Sequence, residues 1–211
     1  MTGPLVAVLD YGIGNLRSAQ KALQVCGADA QLTADPALVA AADAVVLPGV
    51  GAFGACMQAL RAAGLEPVVH GAVASGRPFL GICVGMQMLF SGSDEDPDDL
   101  GLGVIEGRIR WITDQLPRPQ MQWNQLDLVS PGDPMFAGLG AHPWVYFVHS
   151  LHGVPTDPSV VAATCDYGGT VNAAFRAGNV FATQFHPEKS GHDGLALLRN
   201  FVELVAAGVA S

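Results

Sequence analysis

The stretch Pro78-Phe79-Leu80-Gly81-Ile82-Cys83-Val84-Gly85-Met86-Gln87 decides the fold. Residues 78–82 form a short apolar run that predicts a buried strand, and 84–90 predicts the start of a helix. At the junction stands Gly81-Ile82-Cys83-Val84-Gly85, of the form G-x-C-x-G. A glycine-flanked nucleophile between a strand and a helix is the nucleophile elbow, here with sulfur in place of the usual serine oxygen. The glycines leave room for a sharp turn that lifts the side chain off the backbone. The following helix aims its N-terminal dipole and free N–H groups at the sulfur, which favours a thiolate. The N–H of Val84 is placed to bind a developing oxyanion. An ordinary free cysteine is a buried structural residue. Cys26, Cys56 and Cys165 lack such flanks and read that way.

Upstream of the elbow the pattern alternates. Strands are predicted at 5–9, 30–32 and 43–47, and helices at 16–25, 53–63 and 66–74, with Gly27 stopping the first helix. Strand–helix alternation implies a parallel sheet covered on both faces. Downstream, 91–99 is a polar, acidic loop, and strands are predicted at 104–112, 126–129, 145–148, 160–164, 171–176 and 180–185. The turn Ala177-Gly178-Asn179 makes the last two an antiparallel hairpin. Residues 195–207 close the chain as an amphipathic helix. With no repeat and no linker, the expectation is one α/β domain, residues 1–211, in three layers around a mixed, largely parallel sheet.

A base for the sulfur is found in Phe185-His186-Pro187-Glu188, after a predicted strand. Positions i and i+2 of an extended chain share a face, and Pro187 biases His186 towards extended geometry. His186 would then take the thiol proton while Glu188 orients the imidazole. His-Pro-Glu is a short string by itself; with G-x-C-x-G upstream it becomes a specific pair. The other histidines, His70, His142, His152 and His192, read as solvated. The loop Pro48-Gly49-Val50-Gly51 ends a strand at the same edge as Cys83. It reads equally as an ordinary turn or as the source of a second oxyanion donor, since two glycines permit a peptide to reorient. Gln87 lies one helical turn after Cys83 and can face the same pocket.

Composition excludes several classes. Half of the 211 residues are hydrophobic, 14% are charged, and the net charge is −9 with only 10 Lys and Arg. Binding nucleic acid by neutralising phosphates is therefore not expected. No apolar stretch reaches the roughly 18–20 residues of a membrane helix, and the first ten residues lack the basic region of a signal peptide. Four scattered cysteines without C-x-x-C spacing exclude a disulfide framework and a zinc site, and suit a reducing cytoplasm. Neither a P-loop nor a dinucleotide fingerprint is present, so no cofactor is expected.

These residues resemble the class I, triad-type glutamine amidotransferases, and the resemblance covers essentially the whole chain. Within that family the likeness is to the branch that serves imidazole glycerol phosphate synthase in histidine biosynthesis. It is carried by Asp10-Tyr11-Gly12-Ile13-Gly14-Asn15-Leu16, Pro48-Gly49-Val50-Gly51-Ala52-Phe53, the elbow through Gln87, Tyr146-Phe147-Val148-His149-Ser150, and Gln184-Phe185-His186-Pro187-Glu188-Lys189-Ser190. Sibling branches typically carry His at Met86 and a second Pro at Val50. The resemblance implies a flavodoxin-like fold with Cys83 as nucleophile, His186 as base and Glu188 as its partner. Val84 and the Gly49–Val50 peptide would form the oxyanion hole. Gly51, Gln87 and Glu95 would hold the head group of L-glutamine, with the backbone of His149, Ser150 and Leu151 lining the pocket; Glu95 reads equally as part of an acidic loop. Ammonia would pass to a (β/α)8-barrel cyclase in a heterodimer, giving imidazole glycerol phosphate and the aminoimidazole carboxamide ribotide. Asn15, Met121, Trp123 and Lys189 lie beside the motifs as candidate contacts to that cyclase, or as plain surface.

The chain departs from the family in two places. Pro119-Gln120-Met121-Gln122-Trp123-Asn124 has Gln120 and Gln122 where the family has His and Gly, and Leu151 stands where Tyr is common. Three other functions remain open on sequence: an amidotransferase for a different acceptor, a standalone cysteine hydrolase, and a binding subunit that has kept the fold without catalysis. The presence of Cys83, His186 and Glu188 together argues against the last.

Overall fold

The computed structural model describes residues 3–209. The first half runs β1 (Leu5–Leu9), α1 (Leu16–Val25), β2 (Asp29–Thr33), α2 (Pro36–Ala41), β3 (Ala44–Gly49), α3 (Phe53–Ala62), α4 (Glu66–Ala74), β4 (Phe79–Cys83) and α5 (Val84–Met88). The second runs β5 (Gly107–Trp111), β6 (Gln120–Gln125), β7 (Asp127–Leu128), β8 (Trp144–His149), β9 (Leu151–Pro155), β10 (Val161–Asp166), β11 (Thr170–Ala177), β12 (Val180–Thr183) and α6 (Gly191–Val209).

One eight-stranded sheet has the order β2-β1-β3-β4-β12-β11-β10-β7. From β2 to β12 every pairing is parallel; from β12 to β7 every pairing is antiparallel. The change of sense follows composition. β3 and β4 are buried at every residue, as strands covered on both faces must be. The hairpin at Gly178 then reverses the chain. Two further antiparallel pairs, β5 with β9 and β6 with β8, lie outside the main sheet. The topology carries the ends of three strands to one edge: Gly49 pairs with Cys83, and Thr183 of β12 pairs with Ile82 on the other side of β4. Open α/β sheets place their sites at this carboxyl edge.

Several expected elements differ. β6 and β9 were not expected from the sequence. The β6 segment Gln-Met-Gln-Trp-Asn-Gln hides its inward residue in a polar type, for Gln120 is fully buried while Met121, Gln122 and Trp123 are exposed. α2 was also missed, although its signal is present: Asp35 accepts from the Ala37 N–H at 2.9 Å, with proline at the first helical position. The strand expected at 104–112 begins only at Gly107, and that at 126–129 shrinks to two residues. α6 starts at Gly191, four residues before the expected 195.

The elbow glycines are required by space. A Cβ on Gly85 would collide with the Leu47 carbonyl oxygen, and one on Gly49 would lie 2.6 Å from the Gly85 nitrogen. Both obstacles are backbone, which cannot rotate away. Gly85→Ala is therefore expected to lower stability by about 3 kcal/mol or more, read as a shifted urea midpoint. A variant of unchanged midpoint would show that β3 and α5 can separate without cost.

Candidate active site

Cys83 ends β4 with φ 55° and ψ −113°, the one non-glycine residue of positive φ among the described residues. Such a backbone costs on the order of 1–3 kcal/mol and survives only where its surroundings fix it. Here β3 and β12 clamp β4 on both sides. The buried Tyr11 supports the loop beside the elbow, its hydroxyl donating to the Pro48 carbonyl at 2.6 Å. Cys83 is 3% exposed, so water has little access to its sulfur. Val84 opens α5, where backbone N–H groups lack helical acceptors.

His186 follows β12 past the same edge. Its N–H donates to the Tyr146 carbonyl of β8 at 3.1 Å, and its own carbonyl accepts from the Ser190 hydroxyl at 2.6 Å. Nδ1 lies 2.8 Å from Glu188 Oε1, and both side chains are 2% exposed. The contact expected between these residues is present, but not by the expected route. His186 is extended, yet 187–189 turns as a 3-10 helix and brings the carboxylate back to the ring. Proline begins that turn because a 3-10 helix needs no donor from its first residue. With Nδ1 on Glu188, Nε2 is left for the sulfur. Burial alone would depress the imidazole. Its hydrogen bond with Cys83 and the bond and charge of Glu188 outweigh that, and raise it to about 9.

A cavity of about 160 Å³ opens on the sulfur, lined by Gly51, Cys83, Val84, Gln87, Glu95, His149, Ser150 and Leu151. It is smaller than the roughly 300–1,000 Å³ of sites for drug-sized ligands, which suits a molecule of amino-acid size. Glu95 belongs to this wall because Oε2 accepts from the Phe53 N–H at 2.9 Å, while Asp96 accepts from Gly54. The acidic loop thus caps α3, a helix whose own N-cap, Ala52, offers no side-chain oxygen. Gly49 and Val50 lie outside the cavity lining. The Val50 carbonyl instead accepts from the Cys56 thiol at 3.2 Å.

Sequence reasoning missed Gln184. Its fully buried amide accepts from Gln87 Nε2 at 3.1 Å and places its own Nε2 3.8 Å from Cys83 Sγ. The signal was its position two residues before His186, the spacing applied instead to Glu188. His152 is a correction: it is not solvated but half-buried in β9, where Nδ1 accepts from the Asn172 N–H at 3.0 Å. His70, His142 and His192 are exposed. Burial pushes the Cys56 and Cys165 thiols up, the latter to about 12, so they stay protonated. Asn15 and Lys189 are exposed, as are Met121 (65%) and Trp123 (47%), which project from β6. Among the described residues no group of three His, Cys, Asp or Glu side chains could hold a metal ion, and no helix is long and apolar enough to cross a membrane.

An elbow cysteine beside a buried His–Glu pair, at the carboxyl edge of a mixed sheet, is an arrangement with the groups that nucleophilic acyl transfer needs. Residues 7–205 match the family model of the class-I glutamine amidotransferases, and the chain belongs to that family. Its relatives are more particular. It is 51% identical over 204 residues to the imidazole glycerol phosphate synthase subunit HisH of Synechococcus sp. (strain JA-3-3Ab), covering 95% of this chain and 94% of that one. The HisH subunit of Syntrophotalea carbinolica is likewise 51% identical, over 208 residues covering 95% of this chain and all of the relative. Among solved structures, a glutamine amidotransferase superposes with a TM-score of 0.75 at 25% identity, covering 95% of this chain and 98% of that one. PurLQS of Thermotoga maritima shares the fold, with a TM-score of 0.74 at 19% identity, over 95% of this chain and 98% of the matched one.

Proposed function

We propose that this chain is the glutaminase subunit of an imidazole glycerol phosphate synthase. It hydrolyses L-glutamine to glutamate and ammonia and hands the ammonia to a (β/α)8-barrel cyclase in histidine biosynthesis. It works in the cytoplasm as one amidotransferase domain, residues 1–211, without a cofactor. The observation that carries this reading is the buried Cys83–His186–Glu188 constellation opening on a cavity of amino-acid size.

The chemistry follows from the groups present. His186 takes the thiol proton, and the thiolate of Cys83 attacks the carboxamide carbon of glutamine. The carbon–sulfur bond forms while the carbonyl electrons move to oxygen, held by the Val84 N–H and a donor from the Gly49–Val50 peptide. Collapse of this intermediate expels nitrogen, which receives the proton from His186 and leaves as ammonia. Water then loses a proton to the freed imidazole and attacks the thioester, releasing glutamate and restoring the thiol. Glu188 stabilises the imidazolium at both stages. Glu95 and Gln87 face the amino-acid end of the substrate, where a carboxylate meets an ammonium and an amide meets a carboxylate.

The partner enters through the second oxyanion donor. Neither Gly49 nor Val50 lines the cavity of the isolated chain, which supports a second donor that the partner brings into place. One oxyanion donor is worth about a hundredfold to a thousandfold in rate. Glutamate release by the purified chain is therefore expected to rise by at least that order when the cyclase and its nucleotide ligand are both added. Full turnover by the chain alone would favour a standalone hydrolase. Activation by a different synthase, with none by the cyclase, would favour another acceptor.

A further inference from the structure

Gln120 is fully buried, yet it sits on β6 between exposed neighbours. Across the strand pair it faces His149 of β8, also buried. The ring of His149 touches two groups: Nδ1 lies 2.7 Å from the Leu151 carbonyl, and Nε2 lies 2.8 Å from the Gln120 amide atom assigned as Oε1. The other end of that amide lies 3.9 Å from the Cys165 sulfur.

Proton counting decides which way the amide points. Burial holds the His149 ring well down, to about 4, so it is neutral and carries one N–H. A backbone carbonyl can only accept, so that hydrogen is on Nδ1. Nε2 is then an acceptor and needs a donor opposite it. The amide oxygen cannot serve, but the amide nitrogen can. The two ends of a glutamine amide have nearly the same shape, and the hydrogen-bond network is what distinguishes them. With the nitrogen on Nε2, the amide oxygen faces Cys165, whose thiol is protonated and can donate. Every polar contact is then satisfied in one direction, from Cys165 to Gln120 to His149 to the Leu151 carbonyl.

This chain of bonds ends in the cavity wall. His149, Ser150 and Leu151 are three consecutive lining residues at the join of β8 and β9. The Ser150 carbonyl is held by the Ile112 N–H at 3.0 Å. The Leu151 carbonyl is held by His149. The position of the wall thus depends on the ring keeping its hydrogen on Nδ1.

We propose that Gln120 is a positioning residue for the glutamine pocket: its amide N–H donates to His149 Nε2 and so fixes the ring that holds the Leu151 carbonyl. The inference rests on the reading of the cavity as the glutamine site. A glutamine where the family carries histidine is thereby given a task in this chain.

The isosteric variant Gln120→Glu tests it, because an ionised carboxylate has no donor and demands a hydrogen on Nε2. NMR of the chain with nitrogen-labelled histidine reads the ring directly. The unaltered protein should show His149 neutral with hydrogen on Nδ1; the variant should show both nitrogens protonated at about pH 7. That imidazolium keeps its Nδ1 hydrogen on the Leu151 carbonyl, so Gln120→Glu should leave the KM for glutamine within about twofold in the complex with the cyclase. Gln120→Met gives Nε2 no partner and frees the ring; it should raise the KM about tenfold and leave kcat within about twofold, as expected when ground-state and transition-state binding are lost together. If Gln120→Met does not fold, Gln120→Leu should show the same split. A hydrogen on Nε2 in the unaltered protein, or an unchanged KM in folded Gln120→Met or Gln120→Leu, would overturn the proposal. The ring spectrum requires no glutamine, so it stands apart from the proposed activity. Absence of glutamine turnover by the unaltered complex would sink that reading alone.

Discussion

Cys83→Ala is expected to lower glutamine-dependent turnover of the complex by about a thousandfold or more, while synthesis fed with free ammonia stays intact. Removing a nucleophile leaves only the binding and oxyanion contributions, and losses of this order or larger are usual. The fold should tolerate the change. Alanine at φ 55° adds no bulk beyond the Cβ already there. The separation of the two activities is the informative part: it places the sulfur in ammonia production and nowhere in ammonia use. A glutamine-like electrophile should also alkylate Cys83 alone. Cys56 and Cys165 are buried thiols pushed up by desolvation, and Cys26, half-buried, is pushed up for the same reason. Mass spectrometry showing first label on any of those three would displace Cys83 as the nucleophile, as would ammonia-fed synthesis falling together with glutamine use.

How far the sequence reaches depends on what kind of order a residue obeys. The parallel half was legible because β1, β3 and β4 are apolar runs bounded by glycine, and α1 matches its expected span of 16–25. The elbow was legible because the close packing around it leaves no room for a Cβ on either side of Cys83, and glycine is visible in a sequence. The antiparallel half was less so. β6 buries a glutamine through hydrogen bonds and exposes a methionine and a tryptophan, which inverts the ordinary pattern. A period-based reading cannot detect a strand whose inward residue is polar and whose outward residues are apolar. The same limit hid Gln184, whose importance lies in two side-chain contacts between distant segments. It also explains why the geometry assumed for Glu188 was wrong although its partner was named: the spacing of His-Pro-Glu is compatible with a strand and with a tight turn, and the proline chose the turn. For Glu95 the acidic loop and the pocket wall proved to be the same thing, because the loop folds back to cap α3.

His186→Ala should be as damaging as loss of the sulfur, and Glu188→Gln much less so. Without the imidazole there is no group to take the thiol proton or to protonate the departing nitrogen, so a loss of about a thousandfold or more is expected. Glu188→Gln keeps a possible acceptor for Nδ1–H, and the Oε2 position has no hydrogen-bond partner that would dictate the amide's orientation. A loss of about tenfold to a hundredfold follows, reflecting a less stabilised imidazolium rather than a missing base. Stability should move separately. The Glu188 side chain is 2% exposed and has the His186 ring as its ion-pair partner. His186→Ala therefore strands a buried carboxylate, which costs about 3–5 kcal/mol. The double variant His186→Ala with Glu188→Gln removes that charge and should regain part of the lost stability while remaining inactive. Urea denaturation of the four proteins gives the stability side of this cycle, and glutamate release from each complex gives the activity side. If Glu188→Gln lost as much activity as His186→Ala with glutamine binding normal, the two roles would be misassigned. If the double variant were no more stable than His186→Ala alone, the Glu188 side chain would cost nothing once its partner is gone, and the stability loss in His186→Ala would have to come from the missing ring rather than from a stranded charge.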